Sequence, residues 1–209
     1  MREKKIRTFS PNEKLVEERR HKIITCARQL FVKKGYERTT MRDIGKACRM
    51  TSAGIYHYLG KKEDILSMVV NNQYALLYAV IREMEEDGQK LTPVEALTKA
   101  IDHYARGLDD NSEDTLFISN NYRFFKPGLR LMVLETVQNL LATMEKIIIK
   151  GCQSGDFATD NTWMIAFNCM SIGQMWVLRR EPLERKIDFD SYLKFQTQAI
   201  LNQISTHRR

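Results

Sequence analysis

Apolar residues recur at three- and four-residue steps along most of this chain, the spacing of helices that bury one face. Leu15, Ile23, Ala27, Leu30 and Phe31 mark a first such segment, opened by Ser10-Pro11-Asn12-Glu13 and ended by Gly35. A capping serine, a proline at the first helical position and a glutamate at the third together favour a helix start there. Thr40-Met41-Arg42-Asp43 predicts a second start, for a helix of about two turns, and Thr51 predicts a third. A long helix follows near Glu63–Asp87, with Ile65, Val69, Leu76, Val80 and Met84 on one stripe and Gly88 beyond it. Thr92-Pro93-Val94-Glu95 is a full capping box, after which Leu97, Ile101, Tyr104 and Leu108 form one face.

Ser112 is placed to cap "EDTLFISNNYRFF", and Pro127 restarts a helix through about Lys150 that Gly151 and Gly155 break. Asp160 precedes "NTWMIAFNCMSIGQMWVL", and Asp188 precedes a last helix reaching about Ser205. "MEKIIIKG" is β-branched but closes a helix-period stretch and is read as helix. No strand is convincing and no internal repeat is present, so the fold class is all-α with about nine helices.

Charge divides this helical chain in two. Residues 1–62 carry 17 Lys and Arg against 6 Asp and Glu, whereas the rest carries 16 against 20. A small basic head on a mildly acidic body suggests a head that meets a polyanion, with nucleic acid first and an anionic membrane surface second. A basic segment that only aids solubility is the plain alternative. The change of sign places a boundary near residue 66, with a head over 1–66 and a body over 67–209.

Composition narrows the functions. The 209 residues are 43% hydrophobic, which supports a globular core. No apolar run is long enough to span a membrane, and the start lacks the apolar core of a signal peptide, so a cytoplasmic setting is expected. Cys26, Cys48, Cys152 and Cys169 are scattered and read as small buried hydrophobes. Neither they nor His21, His57, His103 and His207 have metal-ligand spacing, and no metal or cofactor is expected. There is no phosphate-cradling glycine loop and no GxSxG, and Asp102 and His103 point apart as helix neighbours. Nothing assembles an enzyme. A membrane-surface reading needs one basic amphipathic helix, whereas the charge here is spread over three short elements.

The segment from Thr40 to Leu59 has the layout of a helix-turn-helix: a helix of about two turns, a short turn and a second capped helix. In that motif the second helix enters the DNA major groove. Ile44, Ala47 and Met50 are expected to hold the first helix and turn on the core, with Ile55 and Leu59 anchoring the second from behind. Ser52, Ala53, Tyr56 and His57 then lie on its free side. The small residues let the backbone approach the groove floor, and the rings reach phosphate or base edges with little entropy lost. Arg42, Lys61 and Lys62 would supply phosphate contacts, aided by the helix N-terminus.

"TTMRDIGKACRMTSAGIYHYLGKKEDIL" resembles the DNA-binding signature of the TetR family of bacterial transcription regulators. With "IITCARQLFVKKGYERTT" before it, the resemblance covers roughly residues 17–66. Thr40, Ile44, Tyr56, Tyr58, Lys62, Glu63 and Leu66 match the family pattern, and Thr51 stands for its serine. The candidate DNA contacts are therefore Thr40, Arg42, Thr51, Ser52, Ala53, Tyr56, His57, Tyr58 and Lys62. Cys48 and Arg49 replace Ala-Gly in the turn, Ala53 replaces a glycine and Leu59 a phenylalanine.

The resemblance implies a homodimeric regulator, most often a repressor, that binds a palindromic operator and responds to a small effector held in the body. It implies a four-helix dimer interface from the last two helices, about 160–180 and 188–205. Trp163, Phe167, Met170, Trp176, Tyr192, Phe195 and Ile200 are the candidates, with Gly173 placed for close helix approach; monomer core is the alternative. Effector candidates are His103, Tyr104, Phe117, Tyr122, Arg123, Phe125 and Met132, each of which core or surface packing would also explain. Arg123 beside aromatics suits an anionic effector with an apolar tail, such as an acyl thioester or other lipid-like molecule, and the body resembles regulators of lipid or steroid catabolism. The alternative is a helical ligand-binding or adaptor protein with a non-functional head, which the turn and Leu59 departures keep open. The extension at 1–12 would either reach the minor groove or stay unstructured.

Overall fold

The structure is a computed structural model that describes residues 13–206. Among them are ten α-helices: α1 (Glu13–Lys34), α2 (Met41–Cys48), α3 (Ser52–Leu59), α4 (Lys62–Lys90), α5 (Pro93–Asp110), α6 (Ser112–Asn121), α7 (Pro127–Ser154), α8 (Thr162–Leu178), α9 (Arg180–Glu184) and α10 (Phe189–Ile204). A 3-10 turn, Tyr122–Phe124, joins α6 to α7. An isolated bridge between Phe157 and Ser205 is the only β pairing among the described residues.

The helix count differs from the sequence reading by the short α9, whose five residues carry no periodic stripe. Helices α4 and α7 also pass through Gly88 and Gly151, where breaks were expected. One glycine costs a helix only about 1 kcal/mol, which the packing of a long helix overrides. Asn161, rather than Asp160, caps α8 through its side chain. Ser112 lies inside α6 instead of ahead of it. The proposed Ser10 cap and the 1–12 arm lie outside the described residues.

The chain forms two compact units. The first takes residues up to Gln73 and adds Phe117–Arg130; the second holds Tyr74–Leu116 and Leu131 onward. In the first, Ile23, Ala27 and Phe31 of α1 close over Ile44 and Cys48 of α2 and Ile55 and Leu59 of α3. Two aromatic pairs tie in the returning segment: Phe117 stacks on Phe31 at 5.8 Å between centroids, and Phe124 meets Tyr36 at 5.7 Å. Lys126 pairs with Asp64 at 3.0 Å.

The second unit is built on α5 and α8. Leu97, Ala100, Ile101, Tyr104 and Ala105 of α5 share one core with Ile165, Ala166, Cys169, Met170, Trp176 and Val177 of α8. Gly173 was expected to aid a dimer contact. Instead it admits α5: a Cβ added there would come within 2.8 Å of the Ala105 Cα. The Trp176 ring lies 5.1 Å from both Phe189 and Tyr192, and its Nε1–H donates to Asp109 Oδ1 at 2.8 Å. No helix is long and apolar enough to cross a membrane among the described residues.

Candidate DNA-binding and effector sites

Helix α2 begins with a reciprocal cap. The Asp43 amide donates to Thr40 Oγ1 at 3.1 Å, and Asp43 Oδ2 accepts the Thr40 amide at 2.9 Å. Lys34 donates to the same carboxylate at 2.7 Å. The Lys34 contact first, then the Thr40 amide and hydroxyl, hold the Asp43 carboxyl well below its usual range. The helix ends with the Arg49 amide donating to the Lys46 carbonyl at 3.2 Å and the Met50 amide donating to the Gly45 carbonyl at 2.8 Å. This is a Schellman ending, and it requires a left-handed residue at position 49. Arg49 supplies it at φ 57°, ψ 47°.

The turn delivers α3 with Thr51 as its cap, the Gly54 amide donating to Thr51 Oγ1 at 3.1 Å. Ile55 and Leu59, four residues apart, are fully buried. Burying two such side chains stabilises the docking of this helix by about 1.5–3 kcal/mol each. Arg20 of α1 donates to the Tyr58 carbonyl at 3.2 Å, satisfying the last turn of α3. The opposite side is free: Tyr56 is 51% exposed, and Thr51, Ala53 and His57 are exposed beside it. Ser52 and Tyr58 are half-buried, with the Tyr58 ring edge-on to His57 at 5.3 Å. Thr40 and Arg42 are exposed on α2.

Two expectations change. Ala47 faces water; the seam of α2 is Ile44, Gly45 and Cys48. A Cβ at Gly45 would lie 2.7 Å from the Met50 carbonyl oxygen, so this position lets the turn close. Burial first, then contact with Cys26, pushes the Cys48 thiol up to about 12, keeping it protonated in the core. Lys62 also has a different task. Its ammonium donates to the carbonyls of Tyr36 and Thr39, each at 3.0 Å, and lies 4.3 Å from the Tyr36 ring centroid. It ties the α1–α2 turn to the start of α4, with its donors directed inward.

The effector candidates fall in both compact units. Phe117, Tyr122, Arg123 and Phe125 belong to the first unit; His103, Tyr104 and Met132 belong to the second. Phe117 and Phe125 are buried, whereas Tyr122 and Arg123 are exposed, the latter with its guanidinium 4.6 Å from the Phe124 centroid. His103 pairs with Glu83 at 3.0 Å. Tyr104 is buried and accepts a hydrogen bond from Gln174 Nε2 at 3.3 Å, and burial pushes its phenol up to about 12. Met132 is half-buried on α7.

Sequence reasoning missed a cavity of about 390 Å³ between α4 and α7. Met84, Ile147 and Thr143 line it with Glu85, Lys146 and Lys150. Lys146 and Lys150 sit four residues apart on α7, but that spacing alone marks a solvated face. Only the packing of α4 opposite them makes a hollow. No group of His, Cys, Asp and Glu suited to a metal occurs among the described residues.

The dimer candidates split in two. Met170, Trp176, Tyr192 and Ile200 are buried in the second unit's own core. Trp163 and Phe167 are each 47% exposed and Phe195 is 69% exposed. The Trp163 and Phe167 rings stack at 5.5 Å, with Met164, Met175 and Leu178 also exposed on α8.

A buried-backed α3 with a free face and a closed turn after α2 makes a helix-turn-helix, the motif of many DNA-binding regulators. The family model for bacterial regulatory proteins of the tetR family matches residues 23–69. The HTH-type transcriptional regulator HbdR of Aromatoleum sp. (strain CIB) is 26% identical over 191 residues, spanning 90% of this chain and 82% of its own length. A bacterial regulatory protein of the tetR family from Rhodococcus RHA1 shares the fold with a TM-score of 0.79 at 20% identity, over 90% of this chain and 97% of that one. AibR, solved in complex with isovaleryl coenzyme A and operator DNA, does so with a TM-score of 0.71 at 21% identity, over 88% and 97%. Residues 23–69 thus carry a DNA-binding domain of the tetR-family type, and the chain as a whole is similar to regulators built on that domain.

Proposed function

We propose that this protein is a homodimeric, cytoplasmic repressor that leaves its operator when an amphipathic anion of the acyl-thioester class binds the body. The observation that carries the reading is the exposed face of α3, where Tyr56 and His57 stand free on a helix anchored by Ile55 and Leu59. Such a helix suits the major groove, with Thr40, Arg42, Thr51, Ser52, Ala53 and Tyr58 on or beside its approach. In this reading the head is residues 1–66 and the effector body 67–209, although the head's compact unit extends to Gln73 and takes in Phe117–Arg130.

The exposed apolar residues Trp163, Met164 and Phe167 of α8 and Phe195 of α10 support self-association, because rings so exposed are costly on a lone monomer. The α4–α7 cavity supports the effector class: an apolar floor at Met84 and Ile147 suits a short acyl chain, and Lys146 and Lys150 suit phosphates. AibR, which shares the fold, is a relative solved with isovaleryl coenzyme A. The departures that favoured a non-functional head are accommodated, since Arg49 closes the turn and Leu59 fills the core.

Operator-bound protein titrated with acyl coenzyme A thioesters of increasing chain length tests the effector reading. Release of DNA by short-chain thioesters, and not by free coenzyme A, is the expected outcome. No release and no thermal shift with any chain length would contradict the acyl-thioester assignment.

A further inference from the structure

We propose that Arg49, in the turn between α2 and α3, is a DNA-backbone contact whose guanidinium grips a phosphate beside the recognition helix. This rests on the reading of the chain as a DNA-binding regulator. Arg49 is the only non-glycine residue with positive φ among the described residues. The Schellman ending of α2 demands that conformation, and glycine would adopt it without the clash that a Cβ brings. An arginine held there retains a strained backbone, and strain of this kind points to a use for the side chain.

The surroundings identify the use. Arg49 is exposed, and no hydrogen bond or ion pair of its guanidinium is present among the described residues. Three other cations of the head are engaged, namely Lys34 with Asp43, Lys62 with three carbonyls, and Arg20 with the Tyr58 carbonyl. Arg49 lies two residues before the Thr51 cap, at the N-terminal end of α3, whose first turn holds no acid. Lys46, one turn earlier on α2, is exposed on the same approach. A planar five-donor cation at the rim of a groove-seeking helix matches a phosphodiester oxygen pair. The contact is to the backbone and so sets affinity and salt dependence rather than base choice.

Three variants separate charge from backbone. Arg49→Gln keeps the strained conformation and removes the charge, Arg49→Gly removes both, and Arg49→Lys keeps the charge. Binding is measured against salt on two probes: a duplex selected by the wild-type protein from a randomised library, and an unselected duplex. Arg49→Gln and Arg49→Gly are expected to lose about three- to tenfold in affinity on both probes, and the log–log salt slope should fall by about one. Arg49→Lys should keep most of the affinity and the slope. Arg49→Gly should also melt at a higher temperature than wild type, so that one substitution raises stability and weakens DNA binding. Wild-type affinity and slope in both Arg49→Gln and Arg49→Gly would overturn the proposal. Failure of the wild-type protein to enrich any sequence would instead overturn the regulator reading, while the slope on the unselected duplex still tests Arg49.

Discussion

Helix α3 and helix α8 both leave aromatic rings in water, to almost the same degree: Tyr56 is 51% exposed, and Trp163 and Phe167 are 47% exposed. Their surroundings differ. Around Tyr56 stand His57, Thr51 and Ala53, with Arg42, Lys46 and Arg49 exposed in the preceding helix and turn. Beside Trp163 and Phe167 stands Met164, and further along the same helix Met175 and Leu178 are exposed too. A ring among polar and cationic groups is set to meet a polyanion. A ring stacked on another within an apolar stripe is set to meet a surface like itself. Exposure alone does not distinguish the two; the neighbours do.

The sharpest way to break this comparison is to charge the apolar stripe. Phe167→Glu should raise the dimer dissociation constant by at least about a hundredfold, because it would bury an unpaired carboxylate. Sedimentation velocity at micromolar concentration should then report monomer with an unchanged helical spectrum. A variant as dimeric as the wild type would show that α8 is not the interface.

Next in size is the anchor beneath α3. Ile55→Ala should destabilise the head by about 2–5 kcal/mol, since Ile55 is fully buried and its removal leaves a cavity. Urea unfolding measures this, and a loss below 1 kcal/mol would mean that α3 is not held as described. In the second unit, Gly173→Ala should cost about 1–3 kcal/mol by pressing a Cβ on Ala105. It should do so without changing the DNA affinity of the folded protein.

Smaller effects belong to the α2 cap. Thr40→Ala should cost about 1 kcal/mol of head stability. The Asp43 carboxyl has a depressed pKa in the folded state, so its contribution is full above the ordinary value of 3.8 and fades as pH falls toward the folded value. Acid unfolding of Asp43→Asn should therefore show a flatter pH dependence than wild type below about pH 4. Equal slopes would mean that the Lys34 and Thr40 contacts do not persist in solution.

The two regions also differ in how far they could be read from sequence. The helix-turn-helix was legible because its determinants are local: Thr40 with Asp43, Thr51 with Gly54, and Ile55 with Leu59 all act within four residues. Lys62 was read as a phosphate contact because nothing local reveals that the carbonyls of Tyr36 and Thr39 come back to meet it. The burial of Trp176 and Tyr192 was equally hidden, since an aromatic stripe looks the same whether its partner is α5 or another subunit. Phe117 on Phe31, and the hollow between α4 and α7, depend on residues far apart in the chain.

The measurement closest to the central claim compares wild type with Tyr56→Ala on the duplex flanking the chain's own gene and on random duplex. The wild type should prefer the flanking duplex. Tyr56→Ala should lose about tenfold or more there, as expected for losing one good base or stacking contact, with little change on random duplex and none in melting temperature. Undiminished discrimination by Tyr56→Ala, or no discrimination by the wild type on any flanking fragment, would contradict the assignment of the α3 face as the DNA reader.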